Sequence, residues 1–127
     1  MANRNFDVLQ ALGKNIKVIC GSFAPNGGSA VSSSSVKGLG FSVARTGAGI
    51  FTITLQDSYV DVVAVQASLQ LATPDDKMLQ WGAIDVVTAK TLVLNVWDFS
   101  GAAVADIAAN ASNRIHFSLY LRNSTVL

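Results

Sequence analysis

The chain has 127 residues, enough for one domain, with a formal net charge of +1, 50% hydrophobic residues and 13% charged residues, against about a quarter charged in an average soluble domain. A 13.3 kDa monomer exposes roughly 6,400 Å², so charged side chains fall about one per 380 Å², sparse for a protein that stays soluble alone. All eight acidic residues are Asp, and Val, Ser and Thr outweigh the long polar helix formers, which excludes a disordered chain, a helical bundle and a nucleic-acid-binding protein.

The first segment reads as an arm. Phe6, Leu9, Leu12, Ile16 and Ile19 recur at steps of three and four, one stripe of a helix, and Leu/Ile seams of this kind suit multi-stranded coiled coils. Two heptads are marginal alone in water, so such a helix needs partner chains or a docking surface. The rival pattern is a strand over residues 16–20, with Ile16, Val18 and Cys20 alternating with Lys17 and Ile19. We expect a helix near residues 5–14 and a strand from about Ile16. Cys20, flanked by Val18, Ile19 and Phe23, is expected as a buried small hydrophobe. A single cysteine permits no internal disulfide and suits a reducing cytoplasm. The opening six residues hold no continuous apolar run of the kind a signal peptide needs. Residues 24–35, rich in Ser and Gly, read as a flexible linker. The expected division is therefore an arm and linker over 1–35 and a β-rich body over 36–127.

From Leu39 onward the text alternates. Leu39, Phe41 and Val43 precede a Gly-bearing turn at residues 45–49, then Phe51, Ile53 and Leu55 share one face, a hairpin signal. Residues 59–71 hold two short strands or one bent strand. Residues 73–77 form a turn, since Pro presets φ and Asp tolerates turn geometry. Two more strands follow over 79–87 and 91–97, with Leu92, Leu94 and Val96 together. The Ala-rich residues 102–111 read as an irregular strand or one short turn. The last strand, residues 114–122, sets Ile115, Phe117, Leu119 and Leu121 against His116, Ser118, Tyr120 and Arg122. Seven to nine strands at this spacing imply an all-β class: an antiparallel β-sandwich or jelly roll with a short N-terminal helical or extended arm. No apolar stretch approaches the roughly 20 residues of a membrane span.

Chemistry-bearing patterns are scarce. One His and one Cys exclude an all-protein zinc site, and no phosphate-binding glycine motif occurs. Asp98 and Asp106 flank Gly101 without a Ca²⁺-loop pattern. His116 lacks an obvious acid partner, and Asp57, Asp75, Asp76 and Asp98 sit where turns are expected, so no catalytic residue, metal or cofactor is assigned. Large side chains on second faces are more informative. Trp97 lies opposite the Leu92/Leu94/Val96 face, and Tyr120 lies between His116 and Arg122. We expect Trp97, Phe99, His116, Tyr120 and Arg122 to contribute to a subunit interface, where aromatics and Arg are enriched and other charges depleted. Trp81, Trp97 and Tyr120 are alternatively stacking platforms for a carbohydrate.

Three blocks also resemble small tailed-bacteriophage virion proteins. These are the opening Met-Ala-Asn-Arg-Asn-Phe with Gln10-Ala11-Leu12 and Lys14, the stretch Ser-Val-Ala-Arg-Thr-Gly-Ala-Gly-Ile-Phe-Thr-Ile-Thr-Leu at 42–55, and the close at 114–124. Together they cover about a third of the chain, from end to end, and none is a catalytic signature. The resemblance implies a capsid decoration or cement protein, or a related short head fibre: a non-enzymatic homotrimer on the capsid surface, bound to the major capsid protein. By that analogy Asn3, Arg4, Asn5, Phe6, Leu9, Leu12, Ile16 and Ile19 would dock on the shell or bundle at the trimer axis. No nucleic acid or membrane partner is implied; a host-surface glycan is the alternative partner, for a module of a tail tip or head fibre.

Overall fold

The computed structural model describes residues 16–123. The expected helix over 5–14, with Asn3, Arg4, Asn5, Phe6, Leu9 and Leu12, lies outside them. Among the described residues there are eight strands: β1 (Ile16–Phe23), β2 (Phe41–Gly47), β3 (Ile50–Leu55), β4 (Asp61–Gln70), β5 (Lys77–Asp85), β6 (Thr91–Asp98), β7 (Ala103–Val104) and β8 (Arg114–Arg122). They form the all-β sandwich that the alternation implies. A narrow sheet has the order β1-β8-β4, and a wide sheet the order β2-β3-β6-β5, with β7 beside β6. Every pairing is antiparallel. Two hairpins, β2–β3 and β5–β6, lie inside the wide sheet. No helix among the described residues is long and apolar enough to cross a membrane.

The core is built from period-2 alternation, because successive strand side chains point to opposite faces. Ile115, Phe117, Leu119 and Leu121 of β8 meet Phe51, Ile53 and Leu55 of β3 and Leu92, Leu94 and Val96 of β6, all buried. Aromatic rings join the sheets at one end. Phe23 tilts against Phe51 with centroids 5.1 Å apart, and Phe41 stands edge-on to Phe117 at 4.9 Å. Gly21 makes the second contact possible: a Cβ there would lie 2.6 Å from Phe41 Cε1 and 2.8 Å from Phe117 Cζ. At the β2–β3 turn Gly49 has φ +68°, and a Cβ would meet the Ala105 carbonyl oxygen at 2.5 Å.

Several expectations are corrected. The stripe running through Ile16 and Ile19 is not helical there, because both residues lie on β1. Three residues apart on a strand means opposite faces, so Ile19 enters the core while Ile16 shares the outer face with Val18 and Cys20. For the same reason Cys20 is exposed, not buried. The region read as a flexible linker is packed on the body: Pro25 is fully buried, Ser33–Ser35 form a 3₁₀ turn, and the Gly27 N–H donates to the Ile107 carbonyl (2.9 Å). Because β1 pairs along its whole length with β8, residues 16–23 belong to the sandwich rather than to an arm preceding residue 36. Leu39 precedes β2 and is 90% exposed, so the β2 alternation starts at Phe41. Of the two forms expected within residues 59–71, the structure shows the single strand, β4, with an irregularity between Val62 and Ala64. The Ala-rich segment contributes only the two residues of β7 before running as a loop.

Leu119→Ala, which opens a cavity in the middle strand of the narrow sheet, is expected to cost about 2–5 kcal/mol; urea unfolding followed by circular dichroism measures it. Gly49→Ala is expected to destabilise as well, because strain at positive φ adds to the clash with Ala105.

Candidate functional site

Strand register decides where the residues singled out above come to lie. On the outer face of the narrow sheet, five rows cross the strands: Ile16–Arg122–Asp61, Val18–Tyr120–Ala64, Cys20–Ser118–Gln66, Ser22–His116–Ser68 and, between β8 and β4 alone, Arg114–Gln70. Charge is confined to the two end rows, and the first is an ion pair. Arg122 Nη2 lies 3.6 Å from Asp61 Oδ2 at that end. His116 Nε2–H donates to Gln70 Oε1 (2.8 Å), so its side-chain partner is an amide and not a carboxylate. On the outer face of the wide sheet the rows are Ser42–Thr54–Thr91–Asp85, Ala44–Thr52–Val93, Ile50–Asn95–Gln80, and Trp97 between Met78 and Val104. Asp85, at the end of its strand, is the one charged residue among them.

The expected interface set is thereby split. His116, Tyr120 and Arg122 share the outer face of the narrow sheet. Trp97 belongs to the opposite side of the sandwich, and Phe99 stands in the turn after β6, 58% exposed. Trp97, Tyr120 and Arg122 are half-buried by their neighbours within one subunit. The two faces can therefore meet two different surfaces, but the five residues form no single patch.

A third feature was not visible in the sequence. The wide sheet has one more full strand than the narrow one, so β5 has no strand opposite its inner face beyond β4. There the sandwich stands open as a cleft of about 660 Å³, whose apolar walls include Val65 and Ala67 of β4, Leu79 and Trp81 of β5, and Phe117 of β8. Trp81 and Leu79 are half-buried there, while Leu92, Leu94 and Val96 on the adjacent β6 are fully buried. The β4 edge facing away from β8, and the β5 edge facing away from β6, have no strand partner among the described residues. Alternation placed Trp81 on a strand, but the widths of the two sheets left it at an opening.

Charged side chains are concentrated in clips at the ends of the sandwich. Arg45 donates through Nε and Nη2 to the two carboxylate oxygens of Asp106 (2.9 and 2.7 Å), and the Gly49 N–H donates to Asp106 Oδ1 (2.8 Å). Such bidentate pairing is the strong form of the ion pair. The Arg45 guanidinium holds the Asp106 carboxyl below the usual carboxylate range, against the opposing effect of partial burial. Asp98 is engaged elsewhere, accepting from the Ser100 hydroxyl (2.9 Å) and lying 4.0 Å from Lys77 Nζ, so the two Asp residues flanking Gly101 do not share a site. Asp85 accepts from the N–H groups of Thr88 and Ala89 and is acidified first by the Thr88 contact. Arg114 Nη2 donates to Ser22 Oγ (3.0 Å) and to the Ser35 carbonyl (2.6 Å), fastening the serine-rich loop. Asn113 links two further loops, donating to the Ala108 carbonyl and accepting from the Ala72 N–H. Among the described residues no three His, Cys or Asp side chains gather where they could hold a metal ion.

No protein-family model, curated protein or solved structure matches the chain.

Because the folded pKa of Asp106 is depressed, its contribution is complete above the unfolded carboxylate value near 4 and fades as pH falls through the folded value. Asp106→Asn is therefore expected to lower the urea midpoint at pH 7 and to flatten its decline below about pH 4, as a pH series of denaturation curves measures. Arg114→Met is expected to accelerate amide exchange in residues 24–35 more than in β6, since it releases the Ser35 carbonyl while leaving the wide sheet intact.

Proposed function

We propose that the chain is a structural subunit without catalytic activity, decorating a tailed-bacteriophage capsid as a homotrimer and stabilising it by binding. The observation that carries this reading is the charge distribution of the sandwich. The outer face of the wide sheet has one charged residue in its rows, Asp85 at a strand end, and the outer face of the narrow sheet has charge only in its two end rows, Arg122–Asp61 and Arg114–Gln70. Faces of this kind suit burial against sister subunits and a shell, where charged residues are depleted and aromatics such as Trp97 and Tyr120 are enriched. The resemblance of the opening, middle and closing blocks to small virion proteins supplies the particle. A protein that binds only the assembled shell raises its resistance to disruption by mass action, with no chemical step required. His116 paired with Gln70 fits this reading better than it fits a general base.

A second reading is favoured by Trp81 in the open cleft, near Gln66 and Ser68: a carbohydrate- or receptor-binding module of a tail tip or head fibre. A glycan array tests it, and loss of a signal in Trp81→Ala would assign the site.

Purified protein mixed with undecorated heads is expected to bind them and to raise their resistance to heat or chelation. Heads that neither bind it nor gain resistance refute the decoration reading. Sedimentation is expected to give three times 13.3 kDa, and a clean monomer at micromolar concentration refutes the trimer.

A further inference from the structure

We infer that the cleft between β4 and β5 is filled by the N-terminal segment of a second copy of this chain, whose Phe6, Leu9 and Leu12 cover Leu79 and Trp81. The inference rests on the reading of the chain as a homo-oligomer subunit and names what joins the copies.

The opening has the form of a missing piece of sandwich. The narrow sheet stops at β4 while the wide sheet continues to β5, and Leu79 and Trp81 line a gap whose other wall is the β4 edge with Val65 and Ala67. A cleft of about 660 Å³ falls within the roughly 300–1,000 Å³ of sites that take a ligand-sized group. Its rim strands carry little charge. Residues 62–71 and 78–84 contain no charged side chain, and the devices that blunt these edges are one irregularity in each strand, at Val62/Ala64 and at Trp81/Ile84.

The chain supplies a fitting occupant. Fifteen residues precede β1, and residues 5–13 hold one charge, Asp7, beside Phe6, Val8, Leu9 and Leu12. They join the fold at Ile16, on the edge of the narrow sheet opposite β4. The segment thus leaves from the flank remote from its own cleft. Fully extended, the four to ten residues that separate Leu12 and Phe6 from Ile16 reach about 14–35 Å, enough to meet a subunit packed alongside. A donor flank and an acceptor flank on opposite sides of one subunit make a head-to-tail contact, which closes into a ring when the rotation per copy allows. A trimer is such a ring. The start of β1 at Ile16 sets the boundary of the donor: Ile19 is a core residue, so a deletion that spares the fold ends at Asn15.

Cysteine trapping tests the contact. In a Cys20→Ser background, Leu9→Cys and Leu79→Cys are placed on separate chains carrying different tags, mixed, and oxidised with copper phenanthroline; circular dichroism checks that each variant folds. A disulfide joining the two tags is expected in about a quarter to a half of the chains, half being the ceiling for random mixing of two kinds in a three-membered ring. No disulfide overturns the inference. So does a double variant that forms the bond only within one chain, because the occupant is then the chain's own segment. Sedimentation separates this inference from the reading beneath it. The chain lacking residues 1–15 is expected to sediment as a folded single subunit, and Leu9→Asp with Leu12→Asp to weaken association at least tenfold. If the truncated chain stays oligomeric, the exchange is refuted and the oligomer stands; if the full chain is monomeric, both fall.

Discussion

The structure depends on β8 reaching its place between β1 and β4. Until that strand arrives the narrow sheet does not exist, because β1 and β4 pair with β8 on either side and not with each other. The inserted strand brings Ile115, Phe117, Leu119 and Leu121 together onto the wide sheet, each 5% exposed or less. It also joins the two ends of the described chain, with Ile16 opposite Arg122 and Phe23 opposite Ile115. Pairings this distant in sequence close the largest loops in the fold, which places the entropic cost of ordering the chain ahead of most of the apolar gain. The segment leading into β8, with the first residue of that strand, accordingly carries an unusual share of polar fastenings: Asp106, Ile107, Asn113 and Arg114 bind three separate parts of the chain.

A second constraint is the unequal width of the sheets. Three strands cannot cover four, so one flank of the core is exposed whatever the rotamers of Leu79 and Trp81. The other flank is sealed, because the loop after β1 returns to it through the Ser22–Lys37 bridge and the Phe41 ring fills the space over Gly21. Asymmetry of this kind gives a subunit a direction: it has one closed side, one open side and two outer faces nearly free of charge.

The low charge content acquires a location from this geometry. Charged side chains gather at strand ends and turns, as in the Arg45–Asp106, Lys77–Asp75 and Arg122–Asp61 pairs. They fasten loops and leave the broad faces to Thr, Ser, Ala, Val and the aromatics. A chain whose few charges are spent on its own turns has little left with which to repel its copies. On the reading proposed above, this is how the composition would serve an assembly.

The strands themselves were legible because alternation is a local property. Ile115 to Leu121, Leu92 to Val96 and Phe51 to Leu55 each declare an inner face within one strand, and each is buried as expected. The Gly-bearing turn near Gly49 and the final strand over 114–122 were equally readable. Errors arose where two local patterns overlapped. Ile16 and Ile19 satisfy helical spacing and also sit in a strand, and only pairing with β8 decides between them and sends Cys20 outward. The serine-rich segment has a linker's composition, yet Arg114, far away in sequence, holds the Ser35 carbonyl. The sequence by itself thus determined which residues alternate, where the chain turns and how little charge it carries. Tertiary structure alone decided which strands are neighbours, that Trp97 and Tyr120 occupy opposite outer faces, and that Trp81 stands at an open cleft. Alternation assigns a side chain to a face of its own strand, but whether that face is covered depends on how many strands the opposing sheet contains.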